Sequence, residues 1–325
     1  MTKKKFDFRK YFATIVLVVL LVIFGIFSDT FFTANNIIST ITTVSINGLL
    51  AMGMTFCIIT GGFDLSMGTG MSFTMTMLGF SVMTWGCSPF VGVLISLATG
   101  LLLGLANGLM ITKMKIPPFV ATLGTMKICE GLSIVISGAR PYYLTEYEGF
   151  ISLATGNHIS GLVGLNIPNC IFFFVVVLII THLVLSKSVF GRYVFAIGSN
   201  EEAVNLSGVK ADKYKTIVYM VAGFFTALTG VVMTSRLASA QPTLGSGYEM
   251  NAVAATVLGG TPLTGGEGGV VKSVVGVATM TVLLNGMRMM GIEQTWQQVV
   301  TGFVVILAVF MDTFKNRKKV KKTKA

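Results

Sequence analysis

The chain has 325 residues, of which 53% are hydrophobic and only 11% are charged, and its mean hydropathy is +0.79. Soluble domains carry about 25% charged residues, so this composition excludes a soluble globular protein and predicts a polytopic membrane protein. The net charge of +11 does not indicate nucleic-acid binding, because the basic residues flank apolar segments and no nucleic-acid-binding motif accompanies them.

Ten apolar segments are predicted to cross the membrane, so the expected fold is an all-α helical bundle in one transmembrane domain, residues 1–325. The segments cover residues 12–28, 37–60, 65–86, 90–111, 117–138, 169–186, 216–235, 248–262, 270–290 and 294–313. Helices are expected rather than strands, because backbone groups in hydrocarbon need partners within their own segment and the alternating pattern of a barrel strand is absent. The eighth segment is short and ends in glycines.

The distribution of positive charge predicts that both termini lie in the cytoplasm. Most of the 24 Lys and Arg residues fall on one side of this topology, chiefly in the first ten residues, the loop over residues 187–215 and the tail over residues 314–325. Cytoplasmic segments carry such an excess of basic residues. An odd number of spans would place the basic tail outside, which favours an even number.

The longest inner loop is expected to contain a short helix outside the membrane. Ser199 and Glu202 have the spacing of a capping box, and Gly208 is suited to ending a helix, which predicts a helix over about Asn200–Ser207. This helix would also carry Glu201. On physical grounds it is either an ordinary linker or a docking surface for a soluble partner.

The segment TGGFDLSMGTG, residues 60–70, interrupts two apolar runs with four glycines and the single acid Asp64. A carboxylate at membrane depth costs roughly 2.5–3.5 kcal/mol on insertion, so it faces protein or water. Asp64 is expected either to cap the following helix or to shape a polar translocation path or gate. The Gly-Gly-x-x-Leu-x-x-Gly pattern of residues 61–68 recurs at residues 259–266, and paired glycine breaks predict a transport site.

Other polar residues in the predicted spans and breaks are further candidates for the pathway or its gate. They are Ser66, Asn107, Thr122, Thr261 and Asn285. Lys127 and Glu130 stand three residues apart on the fifth span, where they are expected to pair on one helix face.

Small residues predict one close helix contact. Gly100, Gly104 and Gly108 repeat every four residues along the fourth span, a spacing that lets two membrane helices approach closely. The four cysteines form no Cys-x-x-Cys pair, so we expect packing residues rather than a metal site or a disulfide framework.

The sequence offers no nucleotide site or catalytic constellation. The nearest approach to a phosphate-binding loop is residues 265–273, but Val271 stands where a glycine must precede the lysine. The two histidines, His158 and His182, lie far apart and belong to no metalloprotease motif. We therefore expect no catalytic residues, no metal site and no cofactor bound by this chain.

Four stretches carry a resemblance to a known family. They are TGGFDLSMGTG over residues 60–70, NGLMITKMKIPPFVATLGTM over 107–126, GRYVFAIGSNEEAVNLSGV over 191–209 and VLGGTPLTGGEGG over 257–269. Together they resemble the motifs of permeases in the ribose/xylose/galactose class of ATP-binding-cassette (ABC) importers, within the branched-chain amino acid and monosaccharide permease superfamily. The resemblance covers most of the chain.

This resemblance implies a subunit of the bacterial cytoplasmic membrane that passes ribose or a related monosaccharide inward. It implies an ABC ATPase that docks on the inner loop and uses ATP, an extracytoplasmic sugar-binding protein, and a second permease copy or a similar permease, all within surrounding lipid. The candidate ATPase-coupling residues are Gly191, Arg192, Ser199, Asn200, Glu201, Glu202, Ala203 and Gly208. Val204 stands where the general permease signature has its second alanine.

Two other interpretations stay open from the residues alone. An importer of the same type could carry a nucleoside, inositol or a furanosyl signalling molecule instead of a monosaccharide. A secondary transporter driven by an ion gradient, with Asp64 or Glu130 as its titrating group, would need no ATPase. A purely structural protein would leave the capped, charged inner loop unexplained.

Overall fold

The computed structural model describes residues 12–157, 161 and 166–323, without the side chains of residues 308 and 311–323. His158, the basic residues before residue 12 and the side chains of the basic tail lie outside this description. The described helices are α1 (Phe12–Phe27), α2 (Ala34–Ile59), α3 (Met67–Met83), α4 (Pro89–Thr112), α5 (Pro118–Ser137), α6 (Glu148–Thr155), α7 (Asn169–Lys187), α8 (Val189–Ser199), α9 (Glu201–Leu206), α10 (Ala211–Leu237), α11 (Tyr248–Leu258), α12 (Val270–Met289) and α13 (Gln294–Thr323). Two short strands, β1 (Tyr142–Tyr143) and β2 (Ser239–Ala240), pair antiparallel. The predicted all-α class is confirmed.

Six helices are long and apolar enough to cross a membrane by themselves, namely α2, α4, α5, α7, α10 and α12. The helices α1 and α3 have 16 and 17 residues. The predicted eighth span, residues 248–262, is wrong as a full crossing, because α11 has only 11 residues and extends about 16 Å of the roughly 30 Å hydrocarbon thickness. It ends at Gly259, and Gly260 then adopts a φ of 97°, which turns the chain out of the helix.

The long helix α10 lies at the centre of the bundle and packs against α2, α3 and α4. Its buried side includes Tyr219, Ala222 and Ala227, which are almost fully enclosed. Three of the four cysteines, Cys57, Cys129 and Cys170, are buried, and all four are unpaired. The burial of these three agrees with the expected packing role, whereas Cys87 is only partly buried.

The glycine stripe on α4 forms a close helix contact. A methyl group on Gly104 would overlap the carbonyl oxygen of Tyr219, and one on Gly100 would overlap that of Gly223. A Cβ on Gly108 would lie 2.9 Å from the Cα of Thr216. The predicted packing role is therefore confirmed, and the partner is α10.

We expect Gly104→Leu to destabilise the protein strongly, because the new side chain has to force α4 and α10 apart. Overpacking of this kind costs about 1–3 kcal/mol or more. Gly302→Leu on α13 is the matched control, since nothing lies within 4 Å of a Cβ there. Thermal unfolding in detergent should show a lower midpoint for Gly104→Leu alone, and equal midpoints would contradict the packing assignment.

Candidate translocation and coupling site

The break between α2 and α3, residues 60–66, contains a buried carboxylate. Asp64 Oδ1 accepts hydrogen bonds from the backbone N–H of Ser66 at 2.9 Å and from the Ser66 hydroxyl at 2.5 Å. The amide Nδ2 of Asn107, on α4, donates to both oxygens of Asp64 at 3.3 Å. Asp64 is only 2% exposed. Three sequence-predicted residues therefore form one buried network.

The network continues to α5 through a residue that the sequence reasoning missed. Asn107 Nδ2 also contacts Ser66 Oγ at 2.9 Å, and Thr125 donates its hydroxyl to Asn107 Oδ1 at 2.6 Å. The predicted candidate Thr122 is buried but bonds the carbonyl of Pro118 in its own helix at 2.8 Å, so it stays outside the network. Helices α3, α4 and α5 are thereby joined by polar contacts next to the break.

The two glycine breaks that share a sequence pattern meet in space. The backbone N–H of Gly266 donates to the carbonyl of Ile59, the last residue of α2, at 2.8 Å. A Cβ on Gly265 would lie 2.8 Å from the backbone nitrogen of Gly61. Within the second break, the buried hydroxyl of Thr261 accepts from Gly269 N–H at 3.4 Å. Backbone groups in the breaks that have no partner within a helix therefore find hydrogen-bond partners in the same break or in the other one.

The first turns of the short helices α3 and α11 also lie against each other. Ser72 Oγ, in α3, accepts a hydrogen bond from Gly245 N–H at 2.7 Å. Glu249 Oε1 accepts from Gly247 N–H at 3.2 Å, and its side chain packs directly on Gly68. Glu249 is 3% exposed and was not predicted, although it follows a Gly-Ser-Gly-Tyr stretch much as Asp64 follows two glycines. Each short helix thus begins beside a buried carboxylate, which suits the positive end of the helix dipole.

Asn285 does not belong to the Asp64 network. Its amide on α12 donates to Asn36 Oδ1 at 2.9 Å and to Thr40 Oγ1 at 3.1 Å, both on α2. The contacts join two spanning helices by polar groups, which is a packing arrangement in membrane bundles.

The inner loop contains two helices, α8 and α9, where one was predicted. The predicted capping residue Ser199 is wrong, because α8 extends through it and its hydroxyl bonds the carbonyl of Phe195 at 3.0 Å. Asn200 is the N-cap of α9, and its Oδ1 accepts from Ala203 N–H at 2.9 Å. The predicted stop at Gly208 agrees with its φ of 85°.

The surface of this loop divides its candidate residues into two groups. Glu201 pairs with Lys215 of α10 at 3.0 Å, and Gly191 packs tightly on the carbonyl of Leu185, so both hold the loop together. Exposed side chains form the solvent-facing surface of the loop. They are Arg192, Glu202, Ala203 and Leu206, the last being 83% exposed. Leu206 is an apolar residue at a solvent-facing position that the sequence reasoning did not single out.

The C-terminal end of α8 rests on the junction of the two breaks. A Cβ on Gly198 would overlap the Ile59 carbonyl and lie 2.5 Å from Gly266 N. A Cβ on Gly266 would lie 2.7 Å from Ser199 Oγ. The C-terminal end of α8 therefore contacts the backbone of both breaks.

We expect Asn107→Leu to destabilise the protein by about 1–3 kcal/mol, because it leaves the buried Asp64 and Thr125 without a shared partner. Thr122→Val is the control, since that hydroxyl bonds only its own helix. The double variant Asp64→Leu/Asn107→Leu should recover part of the loss, because no uncompensated carboxylate is left. Thermal unfolding in detergent measures all three, and a double variant less stable than Asn107→Leu would contradict the network.

The chain resembles known transport proteins along most of its length. The family "Branched-chain amino acid transport system / permease component" matches residues 36–309. The ribose import permease protein RbsC of Bacillus subtilis is 39% identical over 301 residues, 92% of this chain and 91% of that protein. RbsC of Escherichia coli K12 is 34% identical over 97% of this chain and 100% of that protein.

A further relative is the L-arabinose transport system permease protein AraH of Escherichia coli K12, which is 34% identical over 98% of this chain and 95% of that protein. No solved structure matches the chain at a significant level. The family match and the membrane-spanning helices confirm the resemblance drawn from the four motifs. The chain therefore belongs to the family of branched-chain amino acid transport system permease components, as a multi-pass protein of the bacterial cytoplasmic membrane.

Proposed function

We propose that this chain is the permease subunit of an ABC importer that passes ribose or a related monosaccharide into the cytoplasm. The single observation that supports the mechanism is the contact of the C-terminal end of α8 with both breaks at the point where they meet. The relatives named for ribose and L-arabinose support a sugar as cargo. A separate ATPase subunit hydrolyses ATP, and this chain converts the movement of that subunit into a change at the breaks.

The solvent-facing surface of α9 is the proposed docking surface for the ATPase. Glu202 and Ala203 are exposed there one turn before the exposed Leu206, so the three share one side of this six-residue helix. An apolar side chain surrounded by polar ones is the usual composition of a contact point in an interface. The ion pair of Glu201 with Lys215 fixes the loop to α10, so a force on α9 reaches the bundle.

A second permease copy, or a similar permease, is proposed to face α5. Lys127 and Glu130 pair there at 2.8 Å near the middle of a spanning helix, with side chains 67% and 41% exposed. Charged side chains at that depth cost several kcal/mol in lipid, so this face is better suited to water or protein. Gly124 and Gly131 leave the same helix open to a close neighbour.

Uptake into proteoliposomes tests the function. The chain is reconstituted with its ATPase and sugar-binding protein, and labelled ribose uptake is measured with ATP inside or absent and with ion gradients collapsed. ATP-dependent uptake that survives the collapse supports the importer. Uptake that follows an ion gradient without ATP would favour the secondary transporter, and transport of a nucleoside or inositol but not a sugar would change the cargo.

We expect Leu206→Glu to weaken binding of the ATPase about tenfold, because a charge replaces the apolar contact at the proposed interface. Leu153→Glu is the matched control, since Leu153 is also exposed but lies on α6, on the predicted outer side. Co-purification of the ATPase with each variant measures binding, and proper insertion is checked by thermal unfolding. Equal binding by both variants would remove Leu206 from the interface.

A further inference from the structure

A small cavity lies between α2, α11 and α12, away from the Asp64 network. Its volume is about 20 Å³, and its polar lining consists of Asn47 on α2, Tyr248 and Asn251 on α11, and Thr281 on α12. The other lining residues are aliphatic or methionine. Asn47 and Thr281 stand near the middle of their spanning helices, so the cavity lies near the membrane midplane.

The polar groups around this cavity lack hydrogen-bond partners in the part of the chain that the structure describes. Thr281 Oγ1 is buried without a partner. The side chains of Asn47, Tyr248 and Asn251 are partly exposed and bond no described residue. By contrast, Thr279, two residues earlier, donates its hydroxyl to Val275 at 2.8 Å in the usual helical manner. Unpaired polar groups at this depth are unfavourable, and here four polar side chains line one shared space.

The chemistry of the lining matches the hydroxyl groups of a neutral sugar. Each asparagine amide presents both donors and an acceptor, as a sugar hydroxyl does, and the tyrosine ring offers a flat apolar face to C–H groups. None of the four polar side chains carries a charge. Arg236 and Arg288 lie close enough to Tyr248 to act on it electrostatically, but neither lines the cavity.

We propose that Asn47, Tyr248, Asn251 and Thr281 form a binding station for sugar hydroxyls on the translocation path. The proposal rests on the sugar-importer function and adds the site to it. The station stands at the first turn of α11, a helix that begins within the membrane, and such interrupted helices are where transporters place their substrates.

The described conformation is the closed form of this station. A cavity of about 20 Å³ holds a single water molecule and no sugar. The wall that moves against α2 is α11 together with α12, on which it packs through Gly259 and Gly276. The helix α11 is short and is flanked by glycine-containing segments on both sides. Its C-terminal segment is the second break, which touches Ser199 and Ile59 through Gly266. Movement of the inner loop therefore reaches the station through this break.

Thr281→Val tests the proposal because valine keeps the shape and removes only the hydroxyl. The unfolding midpoint should stay equal or rise, since the lost hydroxyl had no described partner. ATP-driven ribose uptake in proteoliposomes should nevertheless fall about three- to tenfold, the effect of one lost hydrogen bond to the sugar. Thr281→Ser should restore uptake. Stimulation of ATP hydrolysis by the sugar-loaded binding protein should persist, which separates the station from the docking surfaces.

Thr256→Val is the matched control. Thr256 lies on α11, is buried and also lacks a partner in the described structure, but it does not line the cavity. Its uptake should equal that of the wild type. Asn251→Leu extends the test to α11 and should lower uptake by a similar or larger factor than Thr281→Val.

The outcomes separate this proposal from the function on which it rests. Reduced uptake for Thr281→Val and Asn251→Leu alone supports the station. Uptake that is unchanged in both, or reduced equally by Thr256→Val, overturns the station while leaving the importer intact. A wild type that takes up no sugar with ATP overturns both.

Discussion

Backbone hydrogen bonding inside the hydrocarbon is the constraint on which the rest of this structure depends. An unpaired N–H or C=O is so costly there that an interrupted helix persists only where protein supplies the missing partners. The first break uses Asp64, the start of α11 uses Glu249, and the second break bonds the last carbonyl of α2. The two breaks are adjacent because each completes the other. Because the two breaks are adjacent, the inner loop contacts both of them at one position.

The same constraint divides the bundle into a rigid part and a part that can move. Helices α4 and α10 meet backbone to backbone along the glycine stripe, and α10 also packs on α2 and α3. The helix α11 packs on the backbone of α12 at Gly259 and Gly276, but its face toward α2 leaves a cavity. Interfaces that switch between arrangements need such weaker elements beside a fixed frame. The ion pair of Lys127 and Glu130 on α5 is exposed on the side of the bundle where a second permease is proposed to bind.

Much of the fold could be predicted because its signals are local. Long apolar runs and the four-residue glycine spacing depend only on neighbouring residues, and the helices and the close contact predicted from them were confirmed. The orientation predicted from the flanking charges stays a prediction. The length of α11 could not be predicted, since apolar residues continue up to the glycines at 259 and 260 whether or not the helix spans. The cap of α9 was wrong for a related reason. Ser199 and Asn200 are both good capping residues, and the choice between them depended on α8, which the sequence did not indicate.

The site was less predictable because its contacts join distant parts of the chain. Asp64, Ser66 and Asn107 could be chosen as polar residues in apolar surroundings, but nothing in the sequence said that they would touch. Thr125 and Thr122 look alike in sequence, and only packing decides which hydroxyl turns to Asn107 and which to its own helix.

The backbone contact between α4 and α10 has a consequence for how this chain can change over time. Where two side chains meet, an enlarged residue on one helix can be offset by a smaller one on the other. At Gly100 and Gly104 the opposing groups are main-chain atoms of Gly223 and Tyr219, and no substitution makes a main chain smaller. Second-site suppressors are therefore unavailable at this contact. The helix pair should therefore accept fewer substitutions over time than the lipid-facing surfaces.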